Sequence, residues 1–333
     1  MRPSLSLITG ILVLILILAP IGASQAAEPL KVALVTDVGK IDDRTFNEFA
    51  YKGMIRAADE FGLQTAFIET MQPTDYDKNI EQFVSEGFNM IITVGFMLGD
   101  ATKRMAEKYP NVHFIIVDYG YDPPIPNVMG LVFDEGQAGF MAGALAGMMT
   151  KSKVVGTVAG KEIPPVVRFR KGYDAGVKHV CPDCKVLGVY IDSFTDPARG
   201  KTAALSQMEE GADVIFGFGG LTGSAAILNA AQAGAWVIGV DQDEYMTTFK
   251  EGRATGSNRV LSSAMKRIDV AVYDAVKASL GGEFKGGTHL VDAAGDGVGL
   301  APFHDAEKAI PAKVKNTLNQ LYQQLKSGEI TVK

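Results

Sequence analysis

Residues 86–92 read EGFNMII and residues 210–216 read EGADVIF. Each stretch ends in apolar residues that predict a buried strand, and each is followed by a glycine-bearing strand end, a helix and a strand that ends in Val-Asp. Those aspartates are Asp118 and Asp241, which come 32 and 31 residues after the glutamate that opens each stretch. This near-equal spacing predicts two lobes of the same topology, related by a pseudo-two-fold axis; chance likeness between generic α/β units is the alternative.

The same alternation of short apolar runs and longer amphipathic runs extends outward from these two stretches. It begins at Lys31, continues to Asp118 and restarts at Val154. Strand–helix–strand order with nearly continuous apolar strands is typical of buried parallel sheets, so the sequence predicts an α/β protein with two Rossmann-like lobes. Thr45 and Glu48 have the spacing of a capping box, which predicts that the first helix begins directly after Thr45.

The C-terminal part of the chain is predicted to return to the two lobes rather than form a third. We expect a long helix over Leu261–Leu280, followed by glycine-rich turns, a short strand and a final helix. A chain that crosses between lobes more than once forms a hinge of limited freedom, which suits a cleft that closes around a ligand. The predicted boundaries are residues 28–148 and 258–288 for lobe 1, and residues 149–257 and 289–333 for lobe 2.

Residues 1–27 have the pattern of a secretory signal peptide. Arg2 precedes the apolar run Ile8–Leu18, and Ala23–Ala27 offers a cleavage site of small residues. An uncleaved membrane anchor is the alternative, although the run is short for a bilayer span. No cysteine follows the run to carry a lipid, so we expect a mature protein that is free in the periplasm.

Composition narrows the class of protein. Of the 333 residues, 47% are hydrophobic and 21% are charged, which is typical of a globular chain. The formal net charge is −6 and no block rich in Lys and Arg occurs, so nucleic-acid binding has little electrostatic support. The two cysteines, Cys181 and Cys184, indicate a local structural disulfide in an exported protein, with metal binding or redox chemistry as the alternatives.

Three predicted strands end in aspartate, namely those that lead to Asp37, Asp118 and Asp241. Ligands of open parallel sheets bind beyond the carboxyl ends of the strands, so these acids are candidates for a shared polar cleft. The alternative is that each caps the following helix or loop. A carboxylate can accept two hydrogen bonds from a vicinal diol, which suits a ribose or a hexose and disfavours phosphates.

Two phenyl rings are placed to hold a planar ligand between the lobes. Phe46 is expected at the first position of the first helix, beside Asp37, and Phe216 lies on the strand that leads into the glycine stretch Gly217–Gly220. If the lobes close, these rings could stack on a base from opposite sides; the alternative is that both are core residues.

Motifs for catalysis are missing from the sequence. The four histidines have no metal-ligand spacing and no G-x-S-x-G motif occurs. We therefore expect no catalytic residues, no metal and no cofactor. The acids of the cleft leave glycosidase chemistry open as an alternative.

Several segments together resemble the basic-membrane-protein family of substrate-binding proteins of ABC importers, whose best-understood type is a purine nucleoside receptor. They are DVGKIDDRTFN at 37–47, DEGQAGFMAG at 134–143, Ile215-Phe216 with the following glycines, VDQD at 240–243 and MKR at 265–267. The resemblance spans residues 31–330. It implies a type I periplasmic-binding-protein fold with a hinged cleft.

The resemblance also implies roles for single residues. Phe46 and Phe216 would stack on the purine, and Asp37 and Asn47 would hydrogen-bond the edge of the base. The ribose hydroxyls would be held by Asp118, Asp241 and Lys266. Gly219 would also line the ligand-binding site.

We therefore expect a non-enzymatic, monomeric receptor that delivers a purine nucleoside to the membrane permease subunits of an ABC importer. A binder of a sugar or another small polar metabolite is the first alternative, and an exported nucleoside hydrolase or glycosidase is the second. Arg168, near the strand end at Gly160, could also face the ligand, which would change the identity of the base or of the ligand.

Overall fold

A computed structural model describes residues 30–332 of the chain. The predicted signal peptide, residues 1–27, lies outside the described residues. Among residues 30–332, none of the helices combines the length and the apolar character that crossing a membrane requires.

The described chain alternates strands and helices, as the sequence predicted. Strands β1 to β12 are Lys31–Thr36, Gln64–Ile68, Met90–Val94, His113–Val117, Val128–Phe133, Val154–Ala159, Lys185–Tyr190, Val214–Phe218, Trp236–Asp241, Val260–Lys266, Gly287–Val291 and Val298–Leu300. Helices α1 to α9 are Phe46–Phe61, Tyr76–Ser85, Gly99–Lys108, Glu135–Met149, Pro164–Val180, Pro197–Glu209, Gly220–Gln232, Ile268–Leu280 and Ala312–Lys326.

The strands form two six-stranded sheets with equivalent strand orders. Their orders are β2-β1-β3-β4-β5-β11 and β7-β6-β8-β9-β10-β12. All pairs are parallel except that of β12 with β10, which is antiparallel. In each sheet the order reverses beside the first strand, which is where ligands of doubly wound sheets bind. The predicted α/β fold with two similar lobes is confirmed.

The central strands are apolar throughout because both faces of each sheet are covered. In β1, Val32 and Leu34 belong to one core cluster and Ala33 and Val35 to another, and all four are fully buried. A strand that is buried on both faces has no polar alternation, which is why the sequence shows continuous apolar runs.

The chain crosses between the lobes three times, and the crossings differ from the predicted boundaries. Helix α4 packs against α5, α9, β10 and β12, so lobe 2 begins at about residue 135 rather than 149. Strand β10 belongs to the second sheet and β11 to the first, so the returning segment of lobe 1 is 267–291 rather than 258–288. The crossings therefore lie near residues 134, 267 and 291.

The predicted helix over Leu261–Leu280 is wrong in its first third. Residues Val260–Lys266 form β10, and the helix begins at Ile268. Leu261, Ala264 and Ile268 have helical spacing in the sequence, but pairing with β9 on one side and β12 on the other outweighs this local pattern.

Helix α1 begins at Phe46, as predicted, but the predicted capping box does not form. Thr45 makes no side-chain cap. The carboxylate of Asp43 instead accepts hydrogen bonds from the backbone N–H groups of Thr45, Asn47 and Glu48, at 2.9, 3.0 and 3.1 Å. Asp43 thus satisfies the free N–H groups at the helix start.

Helix α5 ends at Val180, and its end is closed by a disulfide between Cys181 and Cys184. The backbone N–H of Cys181 donates to Val177 O, and the ammonium of Lys178 donates to the carbonyl oxygen of Cys184. The disulfide links two residues just beyond the end of α5, and neither cysteine lines the cavity between the lobes that is described below.

Candidate ligand-binding site

A cavity lies between the lobes, at the carboxyl ends of both parallel sheets. The space outside protein atoms in this cavity, including its open mouth, is about 670 Å³. Its polar wall consists of Asp37, Asp43, Asn47, Asp118, Asp241 and Lys266. Its aromatic wall consists of Phe46, Phe96, Phe169, Phe194 and Phe218.

The three predicted acids meet at this cavity. Asp37 follows β1, Asp118 follows β4 and Asp241 ends β9, and the exposed fractions of these residues are 5%, 6% and 5%. None of the three is the N-cap of a described helix, although the Asp37 carboxylate accepts a hydrogen bond from the Val38 N–H in the loop that follows β1. Asp118 and Asp241 have φ angles of 69° and 63°. Such left-handed residues other than glycine are concentrated at functional sites.

Burial changes the titration of these carboxyls. Burial raises the pKa of Asp37 to about 7. The hydrogen bond from the Val38 N–H lowers this pKa, and the charge of nearby Asp43 raises it. Burial likewise raises the pKa of Asp241 to about 7, although the Lys266 ammonium acts in the opposite direction. The pKa of Asp118 is raised to about 6 by burial, again opposed by Lys266. These three acids therefore titrate near neutral pH.

Lys266 is the cation of the polar wall. It is the last residue of β10 rather than an early residue of a helix, and it is 1% exposed. Its ammonium lies 2.7 Å from Asp118 Oδ2 and 3.2 Å from Glu135 Oε1. Burial lowers its pKa, but the charges of Asp118, Glu135 and Asp241 outweigh burial and raise the pKa to about 12. Lys266 is therefore charged, and it links the two lobes through Asp118.

The second polar group of the wall surrounds Asp37. The Asn47 side chain donates to Val38 O at 3.3 Å, and its Oδ1 is buried and has no partner among the described residues. Gly95 follows β3 with a φ of 123°, and a Cβ there would collide with the Asp37 carboxylate. Glycine at this position thus leaves room for Asp37 at the edge of the sheet.

Phe46 and Phe218, but not Phe216, line the cavity. Phe216 is fully buried and packs against Tyr173, with ring centroids 5.2 Å apart. The alternative reading of Phe216 as a core residue is therefore the one that the structure shows. Phe216 and Phe218 lie on the same face of β8, but only Phe218 is at the carboxyl end of this strand. The strand-end rule that identified the aspartates also includes Phe218, as part of the glycine stretch Gly217–Gly220, but the stacking role was predicted for Phe216.

Gly219 and Arg168 have different positions relative to the cavity. Gly219 lines it, with a φ of 94°, and a Cβ on it would lie 2.7 Å from Gly160 N. Arg168 is not on the cavity wall; its Nε donates to Glu135 Oε2 at 2.7 Å. Arg168, which the sequence left open as a residue facing the ligand, therefore does not line this cavity.

The lobes also touch on the α1 side of the cleft. Gln242 Nε2 donates to Thr45 O at 3.3 Å, and Lys52 donates to Gln242 Oε1 at 3.1 Å. Thr247 Oγ1 donates to Arg44 O at 3.0 Å. With the Lys266–Asp118 pair, these contacts hold the lobes together around the cavity.

The site can bind a polar ligand with a flat apolar part. Asp118 Oδ1 and Asn47 Oδ1 are buried acceptors without partners among residues 30–332, and unpaired acceptors in a cavity favour a ligand that donates to them. No group of three or more His, Cys, Asp or Glu within residues 30–332 could hold a metal ion.

Comparisons with known proteins agree with this geometry. The model of the family Bmp, described as ABC transporter substrate-binding protein PnrA-like, matches residues 30–333. The ABC transporter nucleoside-binding protein BmpA of Lactococcus lactis subsp. cremoris is 35% identical over 272 residues, 78% of this chain and 77% of that protein. Basic membrane protein A1 of Borrelia garinii subsp. bavariensis is 30% identical over 93% of this chain and 90% of that protein.

A solved structure has the same fold over nearly the whole chain. It is an ABC transporter solute-binding protein from Aeropyrum pernix K1, with a TM-score of 0.82 and 26% identity, covering 91% of this chain and 93% of that one. The predicted periplasmic-binding-protein fold is confirmed. The matching family consists of substrate-binding proteins rather than enzymes, as the sequence predicted. The chain therefore belongs to the Bmp family of PnrA-like substrate-binding proteins of ABC transporters.

Proposed function

We propose that the cleft binds one purine nucleoside, with the base between aromatic side chains and the ribose at the cluster of Asp118, Asp241 and Lys266. The observation that carries this proposal is that the cavity wall combines two polar groups, one around Lys266 and one around Asp37, with five phenylalanine rings. Phe46 lies beside the group of Asp118, Asp241 and Lys266, because its ring centroid is 5.0 Å from Lys266 Nζ.

The ribose end follows from the hydrogen-bonding capacity of the cluster. The Lys266 ammonium has three N–H donors, and two of them are directed to Asp118 and Glu135. The third donor and the free Oδ1 of Asp118 match a hydroxyl group, which both donates and accepts. Asp241 supplies further acceptors for a neighbouring hydroxyl. The carboxylates also make this end unfavourable for a phosphate.

The base end follows from Asp37, Asn47 and the rings. Asn47 Oδ1 and the Asp37 carboxyl offer acceptors to the polar edge of a base. Stacking of a base on an aromatic side chain contributes about 1–3 kcal/mol, and this contribution favours a nucleoside over a sugar. The nucleoside-binding relative from Lactococcus lactis supports the same ligand class.

The proposed cellular role is that of a monomeric receptor of an importer. Residues 1–27 would direct export and be removed, and the mature protein would carry its ligand through the periplasm to the permease subunits. Ligand binding would stabilise the closed arrangement of the lobes, because a ligand in the cleft contacts both of them.

Calorimetric titration with a matched set of compounds tests the ligand. Inosine, hypoxanthine, D-ribose, 2′,3′-dideoxyinosine and inosine 5′-monophosphate separate the contributions of base, sugar, diol and phosphate. We expect inosine to bind most tightly. The other four compounds should bind at least about tenfold more weakly, since each leaves buried polar groups unpaired or adds an anion. Ribose binding more tightly than inosine would support the sugar alternative, and free hypoxanthine released from inosine would support the hydrolase.

A further inference from the structure

Glu135 lies outside the cavity, but it contacts the cation that lines it. It is the first residue of α4, directly after the first crossing between the lobes, and its side chain is fully buried. A carboxylate at a helix N-terminus is favoured by the helix dipole. Its two oxygens accept from two cations, Lys266 Nζ at 3.2 Å and Arg168 Nε at 2.7 Å.

The Lys266 ammonium is shared between two carboxylates on opposite lobes. Asp118 Oδ2 lies 2.7 Å from it, while the other oxygen of Asp118 is buried and has no partner among the described residues. Without Glu135, the ammonium would have Asp118 as its nearest counter-charge. It would then shift toward both oxygens of Asp118, because a buried charge must be compensated.

Arg168 compensates the charge of Glu135 from the outer side. Its side chain is 39% exposed and lies on α5, so the chain of charges runs from the surface of lobe 2 to Asp118 of lobe 1. The cluster of Asp118, Glu135, Asp241, Lys266 and Arg168 contains three acids and two bases. Removing either Glu135 or Arg168 therefore changes the charge balance at Lys266.

We propose that Glu135 is a positioning residue of the binding site: with Arg168 as its counter-ion, it holds Lys266 so that one oxygen of Asp118 stays free for the ligand. The consequence for affinity rests on the proposed function of the cleft. The consequence for the Lys266 ammonium does not, because it follows from the ion pairs of Lys266 and Glu135 within the protein.

The first test uses the protein without ligand. The ammonium signal of Lys266 is recorded by NMR on ¹⁵N-lysine-labelled protein and assigned with Lys266→Met. We expect Glu135→Gln and Arg168→Gln to shift or broaden this signal. Arg170→Gln is the matched control, because Arg170 lies on the same helix and pairs with Asp174, away from the cavity. Arg168→Gln also serves if Glu135→Gln does not fold.

The second test measures inosine affinity for the same variants. We expect Glu135→Gln and Arg168→Gln to raise Kd about tenfold, as expected for loss of a charged hydrogen bond. Arg168→Lys, which keeps the charge, should stay within about threefold of the wild type, and Arg170→Gln should be unchanged.

The pH dependence separates positioning from a general packing defect. Asp118 is faced by Lys266, Glu135, Arg168, Asp37 and Asp241. Burial raises the pKa of Asp118, the charge of Lys266 lowers it, and the charge of Glu135 raises it further. Glu135→Gln removes this charge and should lower the pKa of Asp118. The pH at which inosine affinity reaches half of its maximum should therefore move to lower pH, which a packing defect would not cause.

The inference is overturned if the Lys266 signal is unchanged in Glu135→Gln and Arg168→Gln, or if it changes equally in Arg170→Gln. If the wild type does not bind inosine, the proposed ligand is wrong, and the Lys266 signal alone then decides the inference.

Discussion

The rings of Phe216 and Phe218 are stacked with their centroids 4.5 Å apart, yet only Phe218 reaches the cavity. The two residues share one face of β8, and Phe218 is the last residue of that strand. Phe46 lines the cavity from the other lobe. Aromatic residues of the site and of the core are thus neighbours on one strand, and mutations can separate their roles.

Phe46→Ala should weaken inosine binding by about 1–3 kcal/mol, because it removes a stacking surface from a partly buried position. Phe216→Ala should lower the free energy of unfolding by about 3–5 kcal/mol, because it leaves a cavity in the core, while affinity changes much less. Urea unfolding and calorimetric titration measure both quantities. A greater loss of affinity in Phe216→Ala than in Phe46→Ala would contradict this assignment.

Affinity for a nucleoside should rise with pH between about 5 and 8. Burial disfavours the charged forms of Asp118 and Asp241 and raises their pKa to about 6 and about 7. Hydroxyl donors of a ribose favour the charged forms, so binding releases protons in this window. Titrations of inosine in buffers of different ionisation enthalpy would detect this release. Proton uptake on binding would show that the carboxyls bind the ligand in their neutral forms.

The free protein should lose stability as pH rises from about 4 to 7. Asp37 and Glu244 are carboxyls whose pKa is raised to about 7 by burial, from 3.8 and 4.5. In this window the folded state binds more protons than the unfolded state, so the free energy of unfolding falls with increasing pH. Asp37→Asn should reduce this slope and weaken inosine binding, as measured by urea unfolding at several pH values. Asp77→Asn, at an exposed site, is the control and should leave the slope unchanged.

Asp43→Ala should lower the free energy of unfolding by about 1–2 kcal/mol, because Asp43 satisfies three N–H groups at the start of α1. Thr45→Val should have little effect, since the buried Thr45 hydroxyl has no partner among the described residues. Both variants can be compared with the wild type by urea unfolding. A larger loss of unfolding free energy in Thr45→Val than in Asp43→Ala would show that Thr45, as in the predicted capping box, caps α1.

The fold could be predicted from local patterns because strands buried on both faces are continuous apolar runs. The positions of Asp37, Asp118 and Asp241 followed from the same patterns, since parallel strands bring their carboxyl ends to one edge. Strand β5 and helix α4 were not predicted. The sequence of α4 has little periodicity because eleven of its residues are buried, so neither face is marked as the outer one.

The sequence by itself determined two lobes of equal topology and the acids that rim the gap between them, because these depend on spacing along the chain. Only the tertiary structure decided that Val260–Lys266 is a strand of lobe 2, that Phe218 rather than Phe216 faces the cavity, and that Glu135 contacts Lys266. These outcomes depend on which segments pair across three crossings of the chain. Residues 131 positions apart, such as Glu135 and Lys266, become neighbours only when long-range packing brings their segments together.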